Sequence, residues 1–358
     1  MRRLCAPTLL IIRRPDSPVS TKRVLRSPVA NSASTQLRFS KEVTHMLHDN
    51  GILVLGAGEL GMAVLRTLVR RTARAAIPVA VLLRPATIES TDPVKQKDVA
   101  ELRSLGIQIV PGDLADQSGA AIADIFRRFD TVISCTGFVG GPGVQLKLAR
   151  AALDAGVKRY FPWQFGVDYD VIGRGSAQDL FDEQLDVRDL LRSQVQTEWV
   201  IVSTGMFTSF LFEPSFGVVD LAQNTVNALG GWDNAVTVTT SEDIGALTTE
   251  IVFSEPRITN QIVHIAGDTV TYRQLADTVD RLMGTDVLRN DWSVDELKLK
   301  LAQEPHDSLR KYRVVFAEGR GVAWNQQSTF NAQRGIAVCG LEQWMRSNAL
   351  INDAARTA

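Results

Sequence analysis

From Gly51 onward, short unbroken apolar runs alternate with stretches in which apolar residues return every three or four positions. The run at 52–55 has the length and continuous hydrophobicity of a strand covered on both faces, and further strands are predicted at 79–83, 108–110, 131–134, 159–162 and 199–203. Between them, Leu60, Ala63, Val64 and Leu68 recur at helical spacing. Further helices are predicted over 94–105, within 119–129 and over 143–155. Strands alternating with helices at this interval predict an α/β fold, a doubly wound parallel sheet of the Rossmann kind. Downstream, a strand at 235–239 and a helix opening at Glu242, with Ser241 as its N-cap, are expected to return to that sheet, as is a strand at 262–265. Leu275, Val279 and Leu282, then Val294, Leu297, Leu299 and Leu301, define amphipathic helices of a smaller α/β lobe. The organisation predicted is a sheet domain over 48–205 with 235–267 returning to it, and a lobe built from 206–234 and 268–358.

Residues 1–47 show no such periodicity. Pro7, Pro15, Pro18 and Pro28 interrupt them, and residues 1–40 carry eight Lys or Arg against one acid, Asp16. A disordered extension is expected. Its Arg- and Ser-rich composition also matches a mitochondrial transit peptide. The alternative is that Met46 is the true start; the expected compartment is then the cytoplasm. Removing residues 1–40 leaves 31 basic and 39 acidic residues, a poor match for nucleic acid. No apolar run approaches the roughly 20 residues of a membrane span. Cys5, Cys135 and Cys339 form no CxxC pair, and His45, His48, His264 and His306 lack convincing ligand spacing, so no metal site is expected and a reducing compartment fits. A monomer or homodimer is expected.

The chemistry begins at the end of the first strand, where Gly56, Gly58 and Gly61 form G-x-G-x-x-G between strand and helix. The first glycine permits a tight turn, the second lets backbone approach a pyrophosphate, and the third allows close helix packing. Amides from Gly56, Ala57, Gly58, Glu59, Leu60 and Gly61 would meet the phosphates at the positive end of the helix dipole. The second strand ends at Arg84, where an NAD site usually carries an acid for the ribose 2′-hydroxyl. A guanidinium there favours a 2′-phosphate, with Lys95 or Lys97 adding charge, so the expected cofactor is NADP(H). Thr136, Gly137 and Phe138, beyond the fourth strand, should border the nicotinamide, as should Gln164 and Phe165 beyond the fifth.

The run 156–166, with G-A-G-E-L-G upstream and Val236-Thr237-Val238 through Glu242-Asp243-Ile244-Gly245 downstream, resembles the NmrA-like, isoflavone-reductase-like atypical short-chain dehydrogenases. The likeness covers about residues 51–285, and the stretch 161–170 is similar to fungal aromatic alcohol reductases of the CipA type. The resemblance implies NADPH on a Rossmann domain and reduction of a small hydrophobic or aromatic substrate in a cleft against a second lobe. It also implies a lysine in an F-x-x-K pattern, but the matching run is Phe181-Asp182-Glu183-Gln184. Gln184 can hydrogen-bond a substrate oxygen and cannot act as a general acid near neutral pH. Three readings follow: Tyr169 donates the proton or polarises the carbonyl; Asp168 or a water held by Gln184 does so; or the chain is a non-catalytic NADP-sensing regulator. Met206, Phe207 and Phe210 are the expected substrate-facing residues, in an aromatic segment suited to an apolar pocket.

Overall fold

The computed structural model describes residues 51–138 and 140–348. The expected N-terminal extension and the two histidines within it lie outside the described residues. β1 (Ile52–Leu55) buries all four side chains because helices cover both faces of its sheet. It runs through the glycine turn into α1 (Glu59–Thr72) and then β2 (Val79–Leu83). A short α2 (Pro85–Ile88) follows, then α3 (Pro93–Ser104), where the Asp92 carboxylate accepts the Val94 amide and Pro93 occupies the first turn. β3 (Gln108–Pro111), α4 (Gly119–Phe126), β4 (Thr131–Ser134), α5 (Val144–Asp154) and β5 (Arg159–Phe161) continue the alternation. After β5 the chain forms α6 (Tyr169–Ile172), α7 (Leu180–Arg192) and β6 (Glu198–Ser203).

The second half is more mixed. β7 (Met206–Phe207) leads through a 3-10 segment at Thr208–Phe212 to β8 (Val219–Asp220), β9 (Thr225–Leu229) and β10 (Ala235–Thr239). Next come α8 (Ser241–Val252), β11 (Gln261–His264), β12 (Asp268–Thr271) and α9 (Tyr272–Met283). β13 (Leu288–Trp292), α10 (Val294–Gln303) and α11 (Ser308–Glu318) follow, before two short helices.

The central sheet has seven strands in the order β11-β6-β5-β4-β1-β2-β3, with every pairing parallel. That is a doubly wound Rossmann sheet. α1, α3 and α8 cover one face, and α4, α5 and α7 the other. One expectation is corrected here: β10 does not return to this sheet. It pairs antiparallel with β12 and parallel with β7 in a separate three-stranded sheet, and only β11 joins the large one. The N-cap of α8 is also Thr240 rather than Ser241, since the Thr240 hydroxyl accepts the Asp243 amide.

α7 serves two cores at once. Val187 and Leu191 pack beneath the large sheet, while Phe181 and Leu185 belong to the core of the second lobe with Phe216, Val226 and Leu275. Burying each such side chain stabilises by about 2 kcal/mol, so α7 is held from both sides.

α8 crosses α1 at a backbone-to-backbone contact. A Cβ on Gly245 would come within 2.6 Å of the Ala63 carbonyl carbon, whereas one on Gly58 would meet nothing within 4 Å. Gly245→Ala is expected to destabilise the protein by about 1–3 kcal/mol through overpacking. Gly58→Ala should leave stability within about 0.5 kcal/mol. Urea unfolding of the two variants checks this; equal midpoints would contradict the tight α1–α8 crossing.

Candidate cofactor and substrate cleft

The carboxyl ends of β1, β4 and β5 converge on the glycine turn. Gly56 has φ +86°, a left-handed conformation that glycine adopts without strain. Gly58 is the N-cap of α1 and supplies no side-chain cap, so the first amides of the helix are left for another acceptor. Gly61 packs so closely that a Cβ there would lie 2.2 Å from the Gly56 carbonyl oxygen. The position of a Cβ on Gly58, in contrast, is open. An open approach to uncapped amides at a helix N-terminus is what a pyrophosphate requires, so these residues fit a dinucleotide. Ala57 is half-buried and Leu60 buried, which leaves their backbone as the available part, while the Glu59 side chain is exposed. Desolvation by the surrounding protein raises the Glu59 carboxyl above its ordinary value, with the Ser241 and Ser209 hydrogen bonds opposing and the nearby Glu242 charge adding to the effect.

Arg84 stands at the end of β2 with an exposed side chain and, among the described residues, no ion pair or hydrogen bond on its guanidinium. Lys95, in the first turn of α3, is likewise exposed and unpaired. Both are available for an added phosphate.

Thr136, Gly137 and Phe138 are half-buried at the end of β4. Thr136 lies 3.4 Å from the position of a Cβ on Gly56, and Trp163 lies 3.6 Å from that on Gly137. Gln164 and Phe165 have their side chains in the interior. Gln164 is fully buried, donating to the Gln184 carbonyl at 2.8 Å and accepting from Arg188 Nε at 2.7 Å. Phe165 is buried against Trp163, with ring centroids 5.8 Å apart. Trp163 is half-buried, 6.4 Å from the Phe207 ring. Phe207 and Phe210 are half-buried; Met206 is in the core. Ser209, beside Phe210, reaches Glu59 at 3.5 Å and so brings this segment against the glycine turn.

The proton-handling candidates meet on α7. Gln184 is fully buried, and neither atom of its side-chain amide has a hydrogen-bond partner among the described residues. Phe181, Gln184 and Arg188 share one helical face. Tyr169 packs edge-on against Phe181 at 4.9 Å, and the Arg188 guanidinium lies 5.2 Å from its ring centroid, so Gln184 falls between its two neighbours. Burial pushes the Tyr169 phenol up, against the opposing charge of Arg188, and it stays neutral.

Asp168 cannot donate a proton. Burial alone would raise its carboxyl, but the His264 hydrogen bond at 3.1 Å and the Arg188 charge outweigh that and hold it down to about 2. Arg188 is the hub: fully buried, it also donates to Asp168 at 3.3 Å and Asp170 at 2.8 Å. Neither Arg188 nor His264 stood out in the sequence as part of the site. Their partners lie 20 and 96 positions away, a separation at which no local pattern exists.

A seven-stranded doubly wound sheet with an open glycine turn defines a dinucleotide-binding protein of the Rossmann class. The family follows from comparison: a model of the NmrA-like family matches residues 48–327, and the chain belongs to that family. An NmrA-like family domain-containing oxidoreductase of Gibberella moniliformis is 49% identical over 306 residues, covering 85% of this chain and 100% of that protein. Phenylcoumaran benzylic ether reductase Pyrc5 of Pyrus communis is 28% identical, covering 71% of this chain and 80% of that one. Among solved structures, leucoanthocyanidin reductase of Vitis vinifera in its binary complex with NADPH superposes with a TM-score of 0.67 at 19% identity, covering 86% of this chain and 100% of that one. Isoflavone reductase gives 0.65 at 22% identity, over 83% of this chain and 98% of that one. These two likenesses are of fold. Among the described residues no helix is long and apolar enough to cross a membrane, and no group of three His, Cys, Asp or Glu could hold a metal ion.

The depressed Asp168 carboxyl stabilises the fold above about pH 4, and that contribution of about 2 kcal/mol is lost as pH falls toward 2. Asp168→Asn should therefore lower unfolding free energy at pH 7 by about 2 kcal/mol or more, with a gap to the parent protein that narrows at pH 3. Denaturant titrations at both pH values test this, and a gap independent of pH would refute the ion pairing.

Proposed function

We propose that this chain is an NADPH-dependent oxidoreductase that reduces a small aromatic or secondary-metabolite-type carbonyl or alkenyl substrate. The observation carrying the reading is the uncapped N-terminus of α1 behind an open Gly58, with the free Arg84 guanidinium at the next strand end. The names of the relatives point the same way: an oxidoreductase and a benzylic ether reductase, and a fold neighbour solved with NADPH.

Gly56 to Gly61 would hold the pyrophosphate through backbone amides, and Arg84 with Lys95 the 2′-phosphate. Thr136, Gly137 and Trp163 border the position of the reacting ring. The dinucleotide supplies the hydride, and the protein's part is orientation and exclusion of water. Phe207 and Phe210 offer flat apolar surfaces to a planar substrate. Gln184 and Tyr169 supply neutral hydrogen-bonding groups toward the substrate oxygen. Since Gln184 gives no acid, a dinucleotide-binding regulator without turnover is the competing function.

Arg84→Glu is expected to lower the ratio of NADPH to NADH affinity by at least about tenfold in titration calorimetry, because a charge-assisted contact becomes a repulsion. An unchanged ratio would remove Arg84 from the site. Mixing the protein with NADPH and a panel of aromatic aldehydes, ketones and alkenyl phenols should show consumption of NADPH by absorbance; tight binding with no consumption across the panel would favour the regulator.

A further inference from the structure

The C-terminal segment from 303 onward shows no chemical pattern in the sequence, yet the fold brings one of its residues against Phe181 and Phe210. α11 is anchored beside the start of α7: Lys311 pairs with Asp179 at 2.8 Å, and Gln178 donates to the Ser308 carbonyl at 3.3 Å. One residue after Lys311, the Tyr312 ring stands edge-on to Phe181 at 5.8 Å and to Phe210 at 6.2 Å. Phe210 is itself stacked on Phe216 at 4.3 Å, which fixes its orientation. Tyr312 thus joins the aromatic segment at Phe210 to the α7 face carrying Phe181 and Gln184, against which Tyr169 of α6 packs. It is half-buried, and among the described residues its hydroxyl makes no hydrogen bond. Unlike Tyr160 and Tyr272, whose hydroxyls are fully buried without a partner, Tyr312 keeps its hydroxyl within reach of solvent and so open to an arriving ligand.

We propose that Tyr312 is a catalytic residue, the hydroxyl that meets the substrate oxygen and protonates it. This rests on the reductase reading and supplies the acid that Gln184 cannot. As hydride from the reduced nicotinamide dinucleotide reaches the carbonyl carbon, the π electron pair moves onto the carbonyl oxygen. The Tyr312 O–H bond breaks, a new O–H bond forms on that oxygen, and the phenolate left behind recovers a proton from water. Burial, reinforced by the neighbouring Tyr169, holds the Tyr312 phenol above its ordinary value, so it remains a protonated donor through the neutral range. The edge-on contacts with Phe181 and Phe210 orient the ring and survive removal of the hydroxyl.

The test is Tyr312→Phe in the full chain, with Tyr169→Phe as the comparison and cinnamaldehyde as probe. Calorimetry with NADP+ reads cofactor binding, and tryptophan fluorescence reads cinnamaldehyde binding to the NADP+-loaded protein, where no turnover occurs. Tyr312→Phe should keep its NADP+ affinity, bind cinnamaldehyde about fivefold more weakly through loss of one hydrogen bond, and reduce it with NADPH about a hundredfold more slowly in kcat. Tyr169→Phe should affect kcat less. Failure of the parent, loaded with NADP+, to bind cinnamaldehyde, or equal binding and kcat in Tyr312→Phe, would overturn the role of Tyr312 and leave the dinucleotide site standing. Absence of NADP+ binding in the parent would overturn the reductase reading and this inference with it.

Discussion

One buried guanidinium organises the region where the chemistry is placed. Arg188 has no solvent exposure, and taking its charge out of water costs several kcal/mol unless partners surround it. Asp168 and Asp170 supply the countercharge, Gln164 accepts a further hydrogen bond, and the Tyr169 ring lies across the guanidinium. All four partners come from the segment that follows β5. That segment has little regular structure of its own, so its path is set by where the Arg188 donors point. Asp170 is shared with Arg192 one turn further along α7, and His264 on β11 takes the other oxygen of Asp168. The network therefore ties the β5 segment to α7 and to the far edge of the sheet.

The same helix joins the two hydrophobic cores, with Phe181 and Leu185 in one and Val187 and Leu191 in the other. Gln184 sits at the junction. A polar amide at such a point, lacking partners of its own, is unfavourable for stability and useful only if something polar arrives. The segment from Phe207 to Phe210 closes the opposite side, and the Ser209–Glu59 contact places it against the glycine turn. The Ser209–Glu59 contact joins the aromatic segment to the glycine turn, and Tyr312 joins it to α7 through Phe210 and Phe181, all between residues far apart in sequence.

Much of the parallel-sheet half was legible residue by residue. The runs at β1 and β2 carried their own boundaries, because these strands, buried on both faces, are apolar throughout and end where glycine or arginine begins. β10 was equally recognisable as a strand and was assigned to the wrong sheet: its own residues specify an extended conformation, while the edge it joins depends on β7 and β12. The inward orientation of the Gln164 and Phe165 side chains was illegible for a related reason. The loop was correctly placed at the end of β5, but which of its side chains turned outward was settled by Arg188 drawing Gln164 inward and by Phe165 entering the core.

What the amino-acid order determined alone is everything governed by short-range physics: the strand and helix alternation, the glycine turn that needs φ +86° at Gly56, and the cation at the end of β2. Only the tertiary structure decided which polar groups are paired and which are left without partners. Whether Asp168 is an acid or an anion, and whether the Gln164 side chain lies at the surface or in the interior, turn on burial and on charges far away in sequence. Desolvation and pairing energies depend on the whole surroundings of a group, and those surroundings exist only once the chain has folded.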